Sequence, residues 1–302
     1  MEELQTTHQF SLKELPSLIK ETYTSWMADD PFRLSAIVAY YTVLALPALL
    51  VIIINVIGAI WGGVEIVQGQ VTDEISAALG KDAASAIENI ISETQNSESN
   101  FLSTVIGIGT LLFGATGVFY QLKISLNEIW KIKTNPNAKI WKIVTDRALS
   151  FAFILVIGFL LLVSFIVTAA ISALNSYIRD ALPDVLLYIA YVLDFTLSVG
   201  IISVLFALMF KYLPDAKIKW RTVWIGAILT AILFVVGKLL LGIYFGQADP
   251  GSTYGAAGSI VLILLWVSYS SLILFFGAEF TYVYAKRYGK GIEQKTIGII
   301  TE

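Results

Sequence analysis

Three ionisable side chains, Asp194, Lys238 and Glu279, fall inside stretches of sequence that are otherwise almost free of charge. A charge near the centre of a bilayer costs at least about 2.5–3.5 kcal/mol on insertion scales, so each needs a partner or water. An acid–lysine pair in that setting can hold helices in register, carry a proton, or receive the polar part of a substrate. Lys238 lies in "FVVGKLLLGIYFG", residues 234–246, seven residues before Phe245 and so about 10 Å from that end of a helix. Asp194 follows Leu186 by eight residues, about 12 Å along a helix of opposite direction. The matching depths pair Asp194 with Lys238, and Tyr191 and Ser198 share the Asp194 face. The alternatives are a lysine that reaches the headgroups alone, with Asp194 on backbone or water, and an ion pair with only a structural duty.

Glu279 belongs to the opposite level, near the end of the last apolar run. Tyr282, Tyr40 and Tyr41 share its depth, which outlines a polar vestibule. An interfacial salt bridge to Arg33 or Arg147, flanked by tyrosines, fits the same residues.

The elements that must position these residues follow from composition. The 302 residues are 57% hydrophobic and 14% charged, where a soluble domain carries about a quarter charged. Six apolar runs, 34–61, 101–120, 148–170, 186–210, 223–245 and 257–284, each reach the roughly 20 residues that a spanning helix needs. The expected fold is an all-α integral membrane protein with six transmembrane helices. Alternating segments of a β-barrel are absent. The first run is too long for a signal-peptide core and should persist as a span.

Lysine and arginine sort between alternate connections. Lys13, Lys20 and Arg33, six cations in 121–147, four in 211–222 and four after 284 share one side. Only Lys81 and Arg179 occupy the other, beside ten acids between Glu65 and Asp249. The positive-inside rule places both termini in the cytoplasm. A basic inner face follows from membrane insertion and anionic headgroups, and does not imply a nucleic-acid partner.

Segment 1–33 is a cytoplasmic N-terminal stretch in which Leu12, Leu15, Leu18, Ile19, Tyr23 and Trp26 recur at helical spacing. That pattern fits an amphipathic helix on the inner interface, or one packed on the ends of the bundle. The outer insertion 62–100 reads as a broken helix or helical hairpin, and 285–302 as a cytoplasmic tail. Pro47 should kink the first span. Gly58/Gly62 and Gly242/Gly246 have the spacing of close helix crossings.

Little points to an enzyme. There is no cysteine, and the one histidine, His8, lies in the N-terminal tail, so common zinc sites are unavailable. Glu128, Asp146 and Asp215 are the acids between the inner ends of the spans, too few and too dispersed for a metal-binding cluster. Walker and nucleophile-elbow motifs are missing, and "GQADPGSTYGAAGS", 246–259, reads as a loop or hinge. No cofactor is expected.

Three segments carry a resemblance. "AIVAYYTVLALPALL" (36–50), "GATGVFYQLKISLNEIW" (114–130) and "STYGAAGSIVLILLWVSYSSLILFFGAEFTYVYAKRYG" (252–289) resemble, in matching order, motifs of the YihY/BrkB family of bacterial inner-membrane proteins. The chain departs from that pattern at Ala45, often a serine there, and at Pro47, which comes one residue early. The resemblance implies a multi-pass inner-membrane protein tied to envelope properties, without a settled molecular activity. An older family label, a tRNA-processing ribonuclease, gains nothing from these residues.

The reading is therefore a non-ATP-driven transporter or lipid-handling protein. The alternatives are an envelope-assembly scaffold and an intramembrane enzyme. Membrane lipids are the expected partners, with a homo-oligomer through helix faces open and the substrate unspecified.

Overall fold

A computed structural model describes residues 11–61, 116–132, 145–157, 159–160, 185–248, 258–289 and 291–294, with isolated positions between 68 and 88 and at Tyr254. The side chains of 12, 47–61, 185–194, 246, 248 and 259 fall outside that description. A 3-10 turn (Leu12–Glu14) leads into α1 (Leu15–Ala28) and α2 (Pro31–Trp61). Helical residues 116–129 form α3 and 145–157 form α4. Then follow α5 (Val185–Tyr212), β1 (Ala216–Lys217), α6 (Trp220–Ala248), α7 (Gly258–Tyr288) and β2 (Glu293–Gln294).

Among the described residues three stretches are long and apolar enough to cross a membrane: Phe195–Tyr212, Trp220–Phe245 and Ile260–Tyr288. They correspond to the last three expected spans. α2 is continuous through Pro47, so that proline does not end the helix. The span at 101–120 lies mostly outside the described residues, as does the later part of 148–170. Within 62–100 the described positions 68–69, 72–73, 76, 84–85 and 88 are helical. Gln68, Thr72, Asp73 and Glu88 border one polar recess there.

α5 packs on α6, α6 on α7, and α7 on both α2 and α1. The tightest crossing uses glycine. A Cβ at Gly226 would collide with the Thr281 side chain, and one at Gly277 with Thr230. Each threonine hydroxyl is tied down on its own helix, Thr230 donating to the Gly226 carbonyl and Thr281 to the Gly277 carbonyl, both at 2.7 Å. Two G-x-x-x-T steps thus interlock reciprocally, and close approach supplies the packing that an apolar solvent cannot drive. At Gly242 no described residue comes within 4 Å of where a Cβ would stand, so no close crossing is made there among the described residues. Spacing alone does not say which helix face meets a neighbour.

α1 runs antiparallel to the end of α7. Leu18 is buried with Phe280, Val283 and Tyr284, Trp26 meets Phe276 edge-on at 5.7 Å, and Arg287 donates to Ser17 at 2.7 Å. The N-terminal helix therefore packs on the bundle. It also keeps Ile19, Tyr23 and Met27 exposed.

Two further expectations change. α3 continues nine residues beyond Tyr120, because Leu122, Leu126, Ile129 and Trp130 keep the helical period and are buried. The segment after 284 is more than a tail. Gly291, at φ 75°, turns the chain back so that Glu293–Gln294 pairs antiparallel with Ala216–Lys217, adding a small β element to an otherwise helical fold.

Candidate functional site

The charged side chains of greatest interest gather at the end of the bundle that carries α1. Glu279, on α7, is 1% exposed, and among the described residues neither carboxyl oxygen meets a hydrogen-bond donor. The charged groups acting on it are Asp29, within hydrogen-bonding reach, and Lys131 and Lys286. Asp29 caps the C-terminus of α1 and accepts from Lys131 through Oδ1, while its buried Oδ2 meets no donor among the described residues.

Local backbone geometry delivers these groups. α3 ends in a Schellman-type cap, with the Ile132 amide on the Asn127 carbonyl at 2.8 Å and the Lys131 amide on the Glu128 carbonyl at 3.1 Å. Such a cap places one residue in the left-handed region, usually glycine; here it is Lys131, at φ 56°. Asp30, at φ 51°, makes the corresponding reversal between α1 and α2, and Pro31 then opens α2 at its first position. Trp130 donates its indole N–H to the Ala278 carbonyl at 2.9 Å, pinning the end of α3 beside Glu279. Two residues held at a conformational cost of order 1–3 kcal/mol each frame the carboxyl pair.

The expected salt bridge from Glu279 to Arg33 or Arg147 is absent. Arg33 binds Glu128 at 2.5 Å and Asp30 at 3.2 Å, and Arg147 donates to Thr116 at 2.9 Å with its guanidinium over the Tyr120 ring. The hydrogen bond that Arg33 donates to the Glu128 carboxylate holds its guanidinium pKa further above an already high ordinary value. Tyr40 and Tyr41 are exposed and pack edge-to-face at 5.6 Å, while Tyr282 is partly buried against the core. Glu279 is buried while Tyr40 and Tyr41 are exposed, so the described residues do not gather these side chains into one recess.

A second cluster was missed by sequence reasoning. Lys123, counted there as a loop cation, is on α3 and 5% exposed. It binds Asp146 of α4 at 2.5 Å and Asp215, which precedes β1, at 3.1 Å. Asn127, one turn beyond Lys123, completes the cluster. Its amide donates to Asp215 Oδ2 at 3.2 Å and its carbonyl oxygen accepts the Asp215 amide at 2.9 Å. The dispersed acids Asp146 and Asp215 therefore do converge, on an ammonium. The available signal was the i, i+4 pair Lys123/Asn127 on a face otherwise apolar.

At the other level, Lys238 is exposed beside the seam between α6 and α7, with Phe234, Leu241, Trp266, Tyr269, Ser270 and Ile273 around it. The crevice is too narrow for a water molecule. Close packing causes this, since a Cβ at neighbouring Gly237 would strike Tyr269 and Ile273. Lys238 forms no ion pair among the described residues, and Ser198 is exposed. The side chains of Asp194 and Tyr191 lie outside the described set, so the proposed pair does too.

Residues 22–296 match a family model described as virulence factor BrkB. A UPF0761 membrane protein of Rhodospirillum centenum is 27% identical over 89% of this chain and 58% of its own length. A UPF0761 membrane protein of Pseudomonas aeruginosa is 31% identical over 58% of this chain and 41% of its own. A Bacillus subtilis protein named ribonuclease-like protein YfkH is 24% identical over 90% of this chain and 96% of its own. The chain spans only about 40–58% of the length of the UPF0761 relatives it matches. No solved structure matches.

Proposed function

The chain belongs to the virulence factor BrkB family of membrane proteins, and from that premise we propose that it is a non-ATP-driven transporter or lipid-handling protein of the bacterial inner membrane, with both termini cytoplasmic. The observation that carries this reading is Lys238, an exposed cation deep in an apolar span with no ion-pair partner among the described residues. Its crevice has no room for a ligand, so the ammonium must meet an anion on the exposed face that also bears Leu239, Leu240 and Ile243. An anionic lipid headgroup or the Asp194 carboxylate supplies one. We extend no ribonuclease activity to the chain from the name of its Bacillus subtilis relative.

An envelope scaffold is the second reading. The closed Lys123–Asp146–Asp215 cluster favours it, since an ion network with its partners in place fixes helices without leaving a site. Native mass spectrometry of the purified protein, with lipid analysis of what co-purifies, separates the two. A defined anionic lipid retained by wild type and lost in Lys238→Met supports lipid handling. Bulk lipid unchanged by that substitution supports the scaffold.

A further inference from the structure

Among the described residues, three carboxyl oxygens at the junction of α1, α3 and α7 lack any donor: Asp29 Oδ2 and both oxygens of Glu279. Ionised carboxylates only accept hydrogen bonds, so two of them cannot satisfy each other. Yet the Asp29 carboxyl, whose Oδ2 is buried, is within hydrogen-bonding reach of the buried Glu279. A buried charge with no donor is among the costliest arrangements a fold can hold.

The neighbours do not relieve it. Lys131 spends its contact on Asp29 Oδ1. Lys286, the other cation acting on Glu279, is exposed. From the α1–α2 turn, Asp30 faces Arg33 instead. We propose that Glu279 and Asp29 hold one proton between them, so that this junction is a proton-binding site. The shared proton turns one carboxyl into a donor, removes one of two adjacent buried charges, and leaves a single anion opposite Lys131.

The site joins the N-terminal helix to the last span. Asp29 caps α1, Glu279 sits one turn from Phe276, which packs on Trp26, and Trp130 fastens α3 to the residue before Glu279. Loss of the proton would place like charges across the α1–α7 contact. This inference concerns the chain's own carboxyls and stands independently of what Lys238 meets.

Infrared difference spectroscopy of the full-length protein in lipid nanodiscs tests it. Wild type at neutral pH should show the carbonyl stretch of a protonated carboxylic acid, shifted in heavy water. Carbon-13 labelling of glutamate and of aspartate carboxyls should each move the band, since both groups share the proton. Glu279→Gln and Asp29→Asn should each abolish it, because an amide N–H replaces the shared proton. Absence of the band in wild type overturns the proposal, as does a band that survives both substitutions. A band that appears only after sodium is removed also overturns it, because a metal cation then holds the site. If either variant fails to fold, the two labelling shifts in wild type decide the matter alone.

Discussion

Thr230 fills the space that a Cβ on Gly277 would need, while its hydroxyl is fixed on the Gly226 carbonyl at 2.7 Å. Thr281 does the same at Gly226, so α6 and α7 are locked at two points two residues from Glu279 on either side. Gly277→Ala should therefore destabilise the bundle by about 1–3 kcal/mol through overpacking. Adding Thr230→Ala should recover much of that loss. Thermal unfolding in detergent of the two singles and the double measures both effects.

Lys123 is the ammonium on which two carboxylates depend. Lys123→Met leaves the partly buried Asp146 and Asp215 without their cation and should cost up to about 3–5 kcal/mol. Equilibrium unfolding should show this loss, and Asp215→Asn should be milder because Lys123 retains Asp146.

The Arg33–Glu128 pair is the opposite case. Its side chains are 48% and 44% exposed, so Arg33→Gln should cost no more than about 1 kcal/mol. Added salt should shrink the difference further. A large loss would show that the pair does more than its geometry displays.

Leu18 is the apolar anchor of α1 on α7, fully buried against Phe280, Val283 and Tyr284. Leu18→Ala should weaken that docking by roughly 2–5 kcal/mol. Amide exchange across 15–28 should accelerate while that of α6 stays unchanged, which limited proteolysis after α1 can confirm independently.

Asp194 and Lys238 remain a pair to be tested by a cycle. If they bond, Asp194→Asn with Lys238→Met should restore the stability lost in either single. A restored fold with absent lipid retention places the pair in the site; restored retention makes it structural. Stable, fully functional singles would sink the pairing.

How much of this was legible differs from residue to residue. The last three spans were readable because a long apolar run has one stable form in lipid, a helix that satisfies its own backbone. Leu18 was readable from helical spacing, although its partner was not. Lys123 was misplaced because hydropathy averages a window, and one lysine among polar neighbours looks like a loop even when its face is buried. Gly226 and Gly277 went unnoticed because their counterparts are threonines on another helix.

By itself the sequence determined the membrane setting, the α-helical class and the presence of charges that need partners, since each depends on local composition and period. Only the tertiary structure decided the partners. Lys123 draws Asp146 and Asp215 from 23 and 92 residues away, and Glu279 meets Asp29 across nearly the whole chain, in preference to Arg33 or Arg147. The cost of a buried charge fixes that a partner must exist, but helix rotation and the two left-handed turns at Asp30 and Lys131 fix which one arrives.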